Sequence, residues 1–241
     1  MCGRYTFNPL QGMTPDQLRL FGGHESKSVG GDGMKLFAGL ERTWNVAPTR
    51  KVPVVRVHPT TGTRELVPML WGLVPSWAKD LTIGSKLINA RGETVAEKPA
   101  FRAAFRKRRC LMLTTGFYEW QNAGTKASRP WFIRVKDQEV FAFAGIWESW
   151  ENKARPELDV IETCAIITIE ANETMQQVHH RMPVILSPDD YEAWLDPARH
   201  DPTELLAFVK PCPAEWLTLH PVSTKVNNPR NDGADLIEPE R

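Results

Sequence analysis

Short runs rich in β-branched and aromatic residues dominate this chain and constrain its fold more than any other feature. They fall at Val52 to Val57, Glu65 to Leu73, Cys110 to Thr114, Trp131 to Val135, Val140 to Ile146, Cys164 to Ile169, Val184 to Leu186 and Trp216 to Leu219. Few helical patterns alternate with them, which predicts an α+β domain on a curved, mostly antiparallel sheet with flanking helices rather than a doubly wound parallel sheet. Helix starts are marked at Thr14-Pro15-Asp16, Ser187-Pro188-Asp189-Asp190 and Asp201-Pro202-Thr203-Glu204, where a capping side chain precedes proline at the first helical position. A further helix is predicted from Pro99 to about Arg108, with Phe101, Ala104 and Phe105 on one face and the solvated cations Arg102, Arg106 and Lys107 on the others. The glycine-rich stretch from Gly22 to Gly39 and the segment from Glu151 to Glu157 read as loops. No repeat or linker divides the 241 residues, so a single domain over 1–241 is expected.

Apolar residues make up 41% of the chain and charged residues 24%, a soluble globular balance. A net charge of +1 argues against a general nucleic-acid coat and requires any DNA site to be a local patch, so the global balance neither proves nor excludes DNA. Arg4 interrupts any secretory apolar region, and no run approaches the roughly 20 apolar residues of a membrane span, so a cytoplasmic location without membrane partners is expected. Cys2, Cys110, Cys164 and Cys212 form no Cys-x-x-Cys pair, which suits reduced thiols rather than zinc ligands or a disulfide framework. No metal and no cofactor is expected.

Position makes Cys2 the most unusual residue. Methionine is normally removed before a small second residue, which would free an α-amine with a reference pKa of about 7.7–8.0 beside a thiol near ~8.5, both partly nucleophilic at neutral pH. The amine forms an imine with an aldehyde, and the thiol closing on the imine carbon gives a five-membered thiazolidine. A small buried hydrophobe is the competing reading. Gly116-Phe117-Tyr118-Glu119-Trp120 sets a carboxylate between aromatic rings that can desolvate it toward an acid/base range, although a strand glutamate facing solvent fits the pattern as well. Asn89-Ala90-Arg91 joins an orienting amide to an arginine able to grip phosphate. In Val178-His179-His180-Arg181, adjacent histidines diverge on any regular element and make a poor metal site, while one imidazole near its reference pKa suits proton transfer, against the commoner reading of a surface or capping histidine. Trp71 to Trp77 and Trp44 to Pro48 offer aromatic faces and rigid proline loops for base stacking, against the commoner fate of core tryptophan.

Taken in order, Cys2-Gly3-Arg4, Asn45-Val46-Ala47-Pro48, Trp71-Gly72, Asn89-Ala90-Arg91, Gly116 to Trp120, His179-x-Arg181-Met182-Pro183 and Pro221-Val222-Ser223 resemble the SOS-response-associated peptidase (SRAP) family over nearly the whole chain. The resemblance implies a single-domain mixed fold, working as a monomer, whose N-terminal cysteine crosslinks to abasic sites in single-stranded DNA. The protein would be nucleoid-associated when bound. Carried over by motif, Cys2 is the nucleophile, Asn89 positions the reacting end, Glu119 manages imine protons and His179 assists sugar ring opening. Arg4, Arg91 and Arg181 become phosphate contacts, with Trp77, Trp120 and Pro48 beside the lesion. His180 stands where the family often has an acidic residue, and Gly92 where a side chain is common. Two rival functions are a thiol autopeptidase, possible lyase activity aside, and a non-covalent single-strand binder. The first has only Met1 to remove here, and the second leaves the placement of Cys2 unexplained.

Overall fold

The computed structural model describes residues 2–9, 42–155 and 157–240; the helix start at Thr14 and the Gly22–Gly39 loop lie outside them. Strands follow one another as β1 (Tyr5–Phe7), β2 (Thr43–Val46), β3 (Lys51–Val57), β4 (Arg64–Trp71), β5 (Asn89–Arg91), β6 (Arg109–Thr114), β7 (Gly116–Gln121), β8 (Arg129–Val135), β9 (Phe141–Trp150), β10 (Ile161–Glu170), β11 (Arg181–Pro183) and β12 (Leu217–Pro221). They form two sheets rather than the single curved one expected. The first runs β12-β8-β7-β1-β2 and is antiparallel throughout. The second runs β11-β10-β4-β3-β6-β9, and pairing of β9 with β10 closes it into a small barrel. Only β10 takes parallel neighbours among the described strands, β4 and β5. The α+β class is as read from the sequence.

Alternation along the barrel strands explains why these runs form a two-faced wall. On β6, Leu111 and Leu113 pack with one apolar cluster while Cys110 and Met112 pack with another. The first cluster takes in Ala104 and Phe105 of the helix Arg102–Lys107 and Phe101 just before it, together with Trp194, Leu195 and Leu205. This helix is shorter than its pattern suggested, because residues 99–101 form a turn, but Arg102, Arg106 and Lys107 are exposed as expected. The second cluster meets the first sheet through Cys2, Tyr5, Phe117 and Ile133. Asp201 caps the helix Pro202–Leu206 by accepting a 2.9 Å bond from the Thr203 N–H, and Pro188 opens a 3-10 turn leading into the helix Tyr191–Leu195.

Some expectations shift in detail. The Val184–Leu186 run makes only an isolated bridge at its middle residue, Ile185 to Phe143, and the strand lies at Arg181–Pro183 instead. No helix among the described residues is long and apolar enough to cross a membrane.

Candidate active site

Cys2 sits at the entry to β1, the strand that joins β7 to β2. It is fully buried, in the cluster that holds Tyr5, Trp71 and Phe117, and the Tyr5 and Trp71 rings lie 5.1 Å apart. Trp71 is therefore core, its indole N–H donating to the Ile88 carbonyl at 2.9 Å. β5 brings Asn89 to Cys2: the Asn89 amide donates to the Cys2 carbonyl at 2.8 Å. Asn89 Oδ1 is buried without a hydrogen-bond partner among the described residues, an acceptor left open beside the cysteine. Burial, and then the neighbouring Glu119, push the Cys2 thiol well above the usual range. The thiol is thus held protonated at neutral pH, in contrast to the partly ionised group expected from its reference value.

Glu119 projects from β7 and is 2% exposed, not the solvent-facing strand glutamate of the competing reading. Burial raises its carboxyl to about 7, a shift that the amino-terminal positive charge opposes. His179 precedes β11 and behaves in the opposite way. Burial and the same amino-terminal charge depress its imidazole to about 4, so the near-reference value expected from sequence does not hold. His179 Nδ1 lies 2.9 Å from the Arg181 N–H and 3.1 Å from the Arg181 carbonyl, so the backbone of β11 holds the ring in place. The His179 and His180 rings do not diverge but stack with centroids 4.4 Å apart, because the two residues lie on irregular backbone before β11 rather than on a regular element.

The candidate DNA contacts separate by environment. Arg4 is half-buried, its Nη1 donating to Asn45 Oδ1 at 2.7 Å and to the Val226 carbonyl at 2.8 Å, while its Nε has no partner among the described residues. Its guanidinium lies 5.9 Å from the centre of the Trp120 ring, whose indole N–H donates to Asn227 at 2.7 Å. Arg91 is exposed. Arg181 is not a free cation: only 9% exposed, it meets both carboxylate oxygens of Glu93 and donates to the Thr168 carbonyl at 2.7 Å. Trp77 is 57% exposed and lines a shallow cleft with Ser76, Ser149, Glu151 and Lys153, a set that shares no residue with the Cys2 cluster. Pro48 is half-buried in the turn after β2.

Two residues that sequence reading gave no role organise this region. Asn45 is buried, and besides accepting from Arg4 it donates to the Asn228 and Asn231 carbonyls at 3.1 and 2.8 Å, tying the C-terminal segment over Arg4 and Trp120. Glu93 holds Arg181. The only sequence signal for Asn45 was its place in the Asn-Val-Ala-Pro block. Gly92, the departure noted in the family pattern, has a packing reason. A Cβ there would come within 2.4 Å of Val209 Cγ1 and 3.2 Å of Ile169 Cδ1. Gly92→Ala is expected to lower stability by about 1–3 kcal/mol through overpacking, read as a fall in melting temperature; an unchanged melt would show that Val209 gives way freely.

With this geometry in place, similarity to known proteins becomes informative. The model of the SOS response associated peptidase (SRAP) family matches residues 1–229. The chain belongs to this family. Among SRAP relatives, it is 40% identical over 196 residues to the Bacillus subtilis abasic site processing protein YoqW, covering 81% of this chain and 85% of the relative. It is 34% identical over 226 residues to the Gallus gallus abasic site processing protein HMCES, covering 82% of this chain and 66% of the relative. A crystal structure of a Bacteroides thetaiotaomicron protein superposes with a TM-score of 0.80 at 24% identity over 100% of both chains, a likeness of fold. Abasic-site handling is thus the activity by which SRAP relatives are named, and this SRAP chain holds a buried Cys2 and Glu119 with the half-buried Asn89 bonded to Cys2.

Proposed function

We propose that this SRAP chain, once Met1 is removed, joins the amine and thiol of Cys2 to the aldehyde of an abasic site in single-stranded DNA, and that the resulting thiazolidine shields the lesion. The observation that carries this reading is a buried carboxyl titrating at about 7 beside an N-terminal cysteine whose carbonyl is fixed by Asn89. A group poised near the working pH is what reversible imine chemistry needs. The names of the relatives supply the substrate class.

The reaction divides into steps with separate proton demands. The closed sugar must open, with a proton reaching its ring oxygen. His179, neutral at the working pH, acts there as a hydrogen-bonding partner rather than as an imidazolium acid, and protonated Glu119 is the acid closest to neutrality. The Cys2 amine attacks the C1′ aldehyde, and Glu119 protonates the carbinolamine hydroxyl so that water leaves. The thiol then adds to the imine carbon, its proton passing to the nitrogen. One water is released overall. Because the thiol is held protonated, the amine acts first and the sulfur second.

The direct test is a denaturing gel with abasic single-stranded DNA and protein of verified intact mass. A heat-stable shifted band is expected. A shift that appears only on native gels would overturn the covalent reading in favour of a non-covalent binder, strand cleavage without an adduct would indicate a lyase, and processing of peptides without any DNA product would favour the thiol peptidase.

A further inference from the structure

The three strands β5, β10 and β11 bring two cations to one place. Arg91 on β5 pairs opposite Thr168 of β10, and Arg181 on β11 pairs opposite Glu170, from the other side of the same strand. The Arg181 side chain reaches across β10, donates to the Thr168 carbonyl at 2.7 Å and forks onto both oxygens of Glu93, with Nη2 to Oε2 at 3.0 Å. Glu93 lies two residues beyond Arg91, in the first turn of the 3-10 segment Gly92–Thr94, and Arg91 acts electrostatically on the same carboxylate.

The two halves of this ion pair are held very differently. The Arg181 side chain is 11% exposed and anchored by β10, whereas the Glu93 side chain is 41% exposed on a short turn. The carboxylate is therefore the partner able to leave. A guanidinium as buried as Arg181 cannot be left without an anion at tolerable cost, so Glu93 departs only in exchange for another. Phosphate offers the same bidentate oxygen geometry as carboxylate. Arg181 also keeps one buried donor, Nε, without a partner among the described residues, a position for one more acceptor oxygen. Arg91, which also acts on this carboxylate, adds a second positive charge beside Arg181 that draws such an anion in.

We propose that Glu93 is an internal stand-in for a backbone phosphate of single-stranded DNA, occupying Arg181 beside the exposed Arg91 until the strand displaces it. This rests on the single-strand reading above. The carboxylate then works as a brake: it keeps the cationic patch from holding stray anions, and makes DNA affinity a difference between two ion pairs rather than the full strength of one.

The test is fluorescence anisotropy with a short undamaged oligothymidylate, titrated between about 50 and about 200 mM salt. Glu93→Gln is expected to bind about fivefold tighter at low salt, the effect of removing one competing partly exposed charge, with a salt slope steeper by as much as ~0.7. Glu93→Asp, which keeps the charge but is one methylene short of the fork, is expected to bind tighter by less. Affinity equal to or weaker than wild type in Glu93→Gln overturns the proposal and makes Glu93 only an anchor for Arg181. Should Glu93→Gln not fold, the sign of the change in Glu93→Asp decides in the same way. Absence of any binding by the wild-type protein would instead sink the single-strand reading itself.

Discussion

Cys2→Ala protein mixed with abasic single-stranded DNA is expected to give no heat-stable adduct, the largest single-residue effect anticipated for this chain. The variant keeps a terminal amine once Met1 is removed, so an imine to the C1′ aldehyde still forms, but it hydrolyses because nothing closes on it. In the wild type the thiol is one bond system away from the imine carbon, and well-oriented intramolecular steps of this sort reach effective molarities of about 10⁵–10⁸ M. Fixation of the Cys2 carbonyl by Asn89 supplies that orientation. Borohydride added during incubation should therefore recover a band from Cys2→Ala by reducing the imine, while samples without reductant stay blank. An adduct equal to wild type without reductant would refute ring closure through sulfur.

Glu119→Gln is expected to slow adduct formation by about 10²–10⁴-fold, the usual worth of a positioned acid/base, and to flatten the pH dependence of the rate around neutrality. The same substitution should move stability the other way. The Glu119 carboxyl is raised from 4.5 to about 7, so between those values the native protein binds more protons than the unfolded chain, and stability falls as pH rises. The penalty is absent below the unfolded pKa and complete above the folded one, where it reaches roughly 3 kcal/mol. Glutamine carries no charge to desolvate. Melting curves at about pH 5 and about pH 8 should show the variant gaining on wild type as pH increases. A stability gap that does not change with pH would mean that Glu119 is not held near neutrality by burial, and the acid/base role would fall with it.

The parts of the fold that were readable from sequence are those where one residue type settles the matter locally. Val52 to Val57 and Cys110 to Thr114 are buried on both faces and rich in β-formers, and Asp201-Pro202 caps a helix wherever it is placed. The strands β1, β2 and β5 were not readable, being three or four residues long and built around residues such as Asn45 and Asn89 that have no strand preference of their own. β1 and β5 are strands because the longer β7 and β10 pair with them, and β2 then pairs with β1. The Cys2, Asn89 and Glu119 grouping could be read only from motif order, since spacing alone does not close the 87 positions between Cys2 and Asn89. Arg181 shows the limit most sharply: its partner Glu93 is 88 positions away, and a motif that marks a cation says nothing of the anion already bound to it.

The burial of Cys2 also sets an order in time. β1 is held by β7, whose first residue is synthesised 110 positions after Thr6. At synthesis rates of about 5–20 residues per second, the amino terminus has roughly 6–20 s in which it protrudes from the ribosome with no sheet to enter. If the proposed chemistry holds, removal of Met1 is expected within that interval, because once β1 slots between β7 and β2 Cys2 is fully buried. On the proposed chemistry, competence would in this sense be decided during translation, since a chain that docks its first strand before losing Met1 has the amine of Cys2 locked in a peptide bond and could not close the ring.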